Sequence, residues 1–134
     1  MAGQLNAERD LAEACREWRR LAEAEGEAIR TGNWGLCAAC QKALQHLRER
    51  MDAILPAARA DWARSGNDRP SREQRFNDTL RELIAVERRN QTLLQSVRAA
   101  AHVKIQELNL ARINLKQLRR SYGFAHDAPM NSFS

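Results

Sequence analysis

Cys37 and Cys40 are the residues best suited by type and spacing to do chemistry: two thiols separated by two alanines, three positions after Trp34. Redox pairs with this spacing sit at a helix N-terminus, where the dipole lowers the thiol pKa. Cys37 and Cys40 fall in the first turns of an expected helix, but the strand that should precede such a pair is absent. Residues three apart on an amphipathic helix are more simply two small core residues. A zinc site needs four ligands, and only Cys15 and His46 could complete one, neither at the usual spacing. His46, His102 and His126 are scattered along the chain. No Gly-rich phosphate loop, no HExxH and no nucleophile beside a base is present. These residues point to no enzyme, no metal and no cofactor.

The three cysteines are an odd number in a chain whose start, Met1-Ala2-Gly3-Gln4-Leu5-Asn6, lacks the basic and apolar regions of a signal peptide, so reduced thiols and a cytoplasmic location are expected. No run of about eighteen apolar residues exists, which argues against membrane insertion. Net charge is +5, unevenly spread. Residues 1–30 hold seven acids and five bases, whereas Asn109 to Arg120 hold Arg112, Lys116, Arg119 and Arg120 and no acid. That basic end could meet phosphate or an acidic surface, but Lys and Arg are also favoured at the negative end of a helix dipole. Nucleic-acid binders add aromatic stacking or a docking motif, and neither is found, so nucleic acid is not the expected partner.

Ala, Leu, Arg, Glu and Gln dominate and β-branched residues are scarce, which predicts an all-α fold. At 134 residues the chain suits a single helical domain, 1–134. Leu11, Cys15, Trp18, Leu21, Ala22 and Ile29 trace a first helix over about 5–30, with Glu8, Asp10 and Glu13 near its start to suit the dipole. Thr31-Gly32-Asn33 supplies a terminating glycine and then an N-cap, so a second, antiparallel helix follows over about 34–64. Pro56 should kink or break it. Ser65 to Ser71 reads as a loop, with Ser71 and Gln74 as a capping box for a third helix over about 71–122. Residues 123–134 read as a mobile tail.

The third helix holds neither proline nor glycine and is the longest, roughly 75 Å against about 39 and 46 Å for the others. The expected architecture is an antiparallel three-helix bundle or an elongated coiled-coil hairpin with a long C-terminal helix. Phe76, Leu80, Leu83, Leu94, Val97 and Ala101 make one apolar stripe in its first half, interrupted by Glu87 and Asn90, polar residues that can fix register at some loss of stability. Beyond Ala99 a second stripe of Val103, Leu110 and Ile113 arises nearly opposite Ile105, Leu108, Leu115, Leu118 and Tyr122. A shorter helix two can cover the third only to about Ala101, so 102–122 should remain as an interaction surface. The alternative is a break near Asn90 or Asn109, with the remainder folding back as ordinary core.

The segment Glu25-Gly-Glu-Ala-Ile-Arg-Thr-Gly-Asn-Trp34 before a Gln41 and Leu44 helix, the stretch Leu83-Ile-Ala-Val-Glu-Arg-Arg-Asn90-Gln-Thr-Leu-Leu94 and the ending Leu118-Arg-Arg-Ser-Tyr122-Gly123 resemble the helices of FlgN and FliT type flagellar export chaperones. The resemblance implies a small cytosolic helical protein that holds a filament-type export substrate, of the hook-filament junction or cap class, for a type III secretion system. It implies that Val103, Leu110, Ile113, Leu115 and Leu118 lie in the region that takes the client helix, and that Tyr122 docks on an export gate component. The second expectation is a structural coiled-coil adaptor that pairs with itself through the same helix as a homodimer.

Overall fold

The structure is a computed structural model that describes the backbone of residues 2–64 and 66–125 and the side chains of 7–64, 66 and 68–123. It is all-α: α1 spans Ala2–Thr31, α2 Trp34–Arg64 and α3 Arg69–Ala125, with a 3-10 turn at Gly66–Asp68. The chain divides into two compact units, residues 1–95 and residues 96–134. The expected tail at 123–134 lies almost wholly outside the described residues.

In the first unit the turn between α1 and α2 follows from three residues. Gly32 takes φ 71°, where any side chain would be strained. Its N–H bonds to the Ile29 carbonyl at 3.2 Å, and that of Asn33 to the Ala28 carbonyl at 2.8 Å, the Schellman arrangement that satisfies the last carbonyls of a helix. Asn33 then caps α2, its Oδ1 accepting from the Leu36 N–H at 3.2 Å. The two helices are therefore antiparallel neighbours. α3 runs back alongside both: Arg72 meets Glu8 and Arg19 meets Glu82 across α1, while Glu73 meets Arg59 across α2. Within residues 1–95 this is an up-down-up three-helix bundle.

Its core is a continuous cluster. Leu11, Ala14, Cys15, Trp18 and Ala22 of α1 meet Leu44, Leu47, Met51, Ala58 and Trp62 of α2 and Phe76 and Leu83 of α3. Trp62 and Phe76 pack as tilted rings 5.9 Å apart. Leu44 and Leu83 are fully buried, and each contributes about 1.5–3 kcal/mol by leaving water. Cys15, Cys37 and Cys40 are buried and form no disulfide, as small core residues would be. Burial pushes the Cys15 and Cys40 thiols up; nearby Glu25 and Cys37 reinforce the rise at Cys40, and Arg16 partly opposes it at Cys15.

Several local expectations need correction. α2 runs through Pro56 without a break, because Pro56 and the residue four before it, Asp52, lie on the exposed side, where water can take the carbonyl that loses its donor. Ser71 does not cap α3: the helix begins at Arg69, Pro70 sits in its first turn where a missing N–H is harmless, and Ser71 instead accepts from Arg75. Glu8, Asp10 and Glu13 lie beyond the first turn of α1, which begins at Ala2. α3 is one helix with no fold-back at Asn90 or Asn109. Its buried stripe stops sooner than expected, with Val97 half-buried and Ala101 exposed.

Glu87 and Asn90 sit where the stripe placed them, and both are in hydrogen bonds. The Glu87 carboxylate accepts from the Trp18 indole N–H at 3.0 Å and from the Arg48 guanidinium, so one oxygen joins α1, α2 and α3. Arg48 also lies 5.5 Å from the centre of the Trp18 ring. One turn later, buried Asn90 donates to the Ala22 carbonyl at 2.6 Å and to the buried Glu25 carboxylate at 3.1 Å. The close approach depends on Gly26, where an added Cβ would stand 2.7 Å from Asn90 Oδ1.

That contact predicts a change of sign. Gly26→Ala should destabilise the native chain by about 1–2 kcal/mol through overpacking. Asn90→Ala alone should cost about 1–3 kcal/mol by stripping the Glu25 carboxylate of its donor. In the Asn90→Ala background the alanine at 26 should stabilise by about 0.5–1 kcal/mol through helix propensity, as a double-mutant cycle in urea would show. Independently, the raised thiols should make Cys15 and Cys40 slow to alkylate at pH 8 in the native protein. Their labelling should become rapid only in denaturant, as mass spectrometry of iodoacetamide-treated protein would report.

Candidate partner-binding surface

From Ser71 to Tyr122, α3 contains no helix breaker, so local propensity carries the helix through the second unit, residues 96–125, without interruption. Its polar positions are filled by residues that suit a solvated helix, such as His102 and Gln106, one turn apart with side-chain nitrogens 3.2 Å from each other. What does not suit solvent is the rest of the surface. Every residue from Arg98 to Gly123 is exposed. Val103, Ile105, Leu108, Leu110, Ile113, Leu115, Leu118 and Tyr122 are each between 48% and 62% exposed.

At about 100° per residue these side chains fall on two faces. Val103, Leu110 and Ile113 share one, and Ile105, Leu108, Leu115, Leu118 and Tyr122 share the other, with centres roughly 150° apart. The five positions expected to contact a client, Val103, Leu110, Ile113, Leu115 and Leu118, are therefore not brought together: three stand on the first face and two on the second. An apolar stripe facing one helix is somewhat over 100° wide, so a single partner helix can engage one face at a time. Tyr122 belongs with Leu115 and Leu118.

The charges are ordered too. Between Val103 and Tyr122 stand Lys104, Arg112, Lys116, Arg119 and Arg120 against the single acid Glu107. Arg112, Lys116, Arg119 and Arg120 project along the boundary where the second face gives way to the first; the opposite boundary carries Asn114 and Glu107, and Gln106 and Gln117 lie within the first face. Each apolar face therefore has a basic flank and one without a base.

Among the described residues of the first unit two further large apolar side chains are exposed: Trp34, the first residue of α2, and Leu36. Trp18 and Trp62 lie in the core, and Trp34 stands at the helix end. Leu36 escaped sequence reading because it falls off the buried stripe of α2, three residues after the capping Asn33; its place in the cap was the available signal. Among the described residues no group of three or more His, Cys, Asp or Glu is gathered to hold a metal ion, and no helix is long and apolar enough to cross a membrane.

Because the surface contributes nothing to the core, Leu110→Asp with Ile113→Asp should shift unfolding free energy by less than about 0.5 kcal/mol per site. Leu83→Ala, in the bundle core, should cost about 2–5 kcal/mol in the same urea titration. Compared with models of protein families, with curated proteins and with solved structures, the chain matches none.

Proposed function

We propose that this protein is a binding protein without catalysis, a cytosolic export chaperone of the flagellar type III kind that holds a filament-type client through residues 103–122 of α3. The observation that carries the proposal is the exposure of eight large apolar side chains along one uninterrupted helix. A helix that turns an apolar stripe to water lacks the partner that would bury it. Anchors three and four residues apart are the pattern by which one helix takes another. Burying Leu110, Ile113 and one further aliphatic side chain releases roughly 5 to 8 kcal/mol gross before ordering costs, enough for a reversible complex. The resemblance of the three segments to FlgN and FliT type chaperones supplies the client class, hook-filament junction or cap proteins, and assigns Tyr122 to the export gate.

The basic flank selects the partner further. Five bases against one acid between Val103 and Tyr122 favour a client segment with acids beside its apolar stripe. The same excess of one sign opposes the self-paired adaptor, since two copies would bring like charges together.

The test is capture from a flagellated source. Native protein should retain a filament-junction or cap-type protein, and Leu110→Asp with Ile113→Asp should release it while the bundle stays folded. Removal of residues 103–134 should do the same. Retention of the client by either variant contradicts the site. A native protein that scatters light as an obligate dimer, and becomes monomeric on Leu110→Asp, would establish the adaptor instead.

A further inference from the structure

Within residues 1–95, a cavity of about 430 Å³ opens between the first half of α1 and the first turns of α3, backed by the end of α2. None of its lining residues falls within 103–122. Its floor is apolar: Leu11, Cys15, Trp62 and Phe76 all line it and all belong to the buried core. Burial keeps the Cys15 thiol protonated, so the floor brings no negative charge.

The polar lining is one-sided. Arg16 and Arg19 come from α1 and Arg72 and Arg75 from α3, and the one acid among them, Glu8, is already engaged by Arg72 at 3.1 Å. Arg19 is paired with Glu82. Arg16 and Arg75 enter no ion pair among the described residues, which leaves two guanidinium groups for an outside anion. Each offers a planar fork suited to a carboxylate.

A second observation comes from Trp62. Its ring is buried in the core, lines this cavity, and its indole N–H has no hydrogen-bond partner among the described residues. A buried donor left without an acceptor is costly, and native structures rarely tolerate one. A ligand with an oxygen along its body could supply the acceptor that the protein does not.

We propose that this cavity binds a small amphipathic carboxylate, with its chain on the Leu11, Cys15, Trp62 and Phe76 floor, its head at the arginines, and an oxygen acceptor along the chain for the Trp62 indole. The volume falls in the range of small-molecule sites, which a ligand of about fourteen heavy atoms can enter. N-octanoylglycine has that size, a carboxylate and an internal amide carbonyl. Its primary amide, N-octanoylglycinamide, matches it in shape but is uncharged.

Titration calorimetry and 15N-detected NMR on the full chain provide the test. N-octanoylglycine should bind saturably at one site and move the Trp62 indole N–H resonance, with acetate silent. The glycinamide should bind about tenfold more weakly, as should the acid to the Arg16→Gln, Arg75→Gln double variant, the loss expected for charge-assisted bonds. Both arginines are exposed, so circular dichroism should show the variant folded. Trp62→Phe, which keeps an aromatic ring, should weaken the acid severalfold. Absence of saturable binding, equal binding of acid and amide, or shifts that spare Trp62 would each overturn the proposal. So would a second copy seated in the cavity, seen as a dimer in sedimentation that excludes the probe.

Discussion

Glu87 is the point where the three helices of the bundle are tied to one another by hydrogen bonds, because its carboxylate takes both the Trp18 indole N–H from α1 and the Arg48 guanidinium from α2. Apolar contacts alone would hold three amphipathic helices together but would tolerate sliding by a turn. A half-buried carboxylate tolerates much less, since moving it strands a charge and an indole donor at once. Asn90 repeats the constraint one turn on, against the backbone of Ala22 and the carboxylate of Glu25. Ala22 and Gly26 make that possible by having almost no side chain. The glycine costs α1 helical propensity and in return lets α3 come close enough to bond a main-chain carbonyl. The exposed ion pair of Arg19 with Glu82 adds little by comparison.

Much of this was legible in the sequence because helical proteins write their contacts at short range. The Leu11, Cys15, Trp18, Ala22 and Ile29 stripe, the Gly32 and Asn33 turn, and the polar interruptions at Glu87 and Asn90 all depend on spacing within one element. What was not legible depends on pairs far apart in the chain. Glu87 shows as polar on an apolar stripe, but nothing local says that its partners are Trp18 and Arg48, sixty-nine and thirty-nine positions away. Gly26 reads as a weak spot in α1 until Asn90 is set against it. Pro56 does not end α2, since the carbonyl it frees faces water.

The surface at 103–122 was likewise half legible. Apolar periodicity marks Val103, Leu110 and Ile113 as one face and Leu115, Leu118 and Tyr122 as another, and the structure leaves both in solvent. Exposure follows from what lies opposite, which no window of sequence reports. The two units thus divide the work: residues 1–95 bury their apolar stripes and lock their register, and residues 96–125 keep theirs open. A helix that is apolar on two sides and basic along one boundary is what the proposed partner-binding role requires.

Hydrogen exchange on the protein purified with its bound partner tests this division most directly. In the free protein the amides of 98–122 should exchange well before those around Leu83 to Asn90, and in the complex new protection should be confined to 98–122. Protection gained on α1 and α2 while 98–122 stays unchanged would contradict the account.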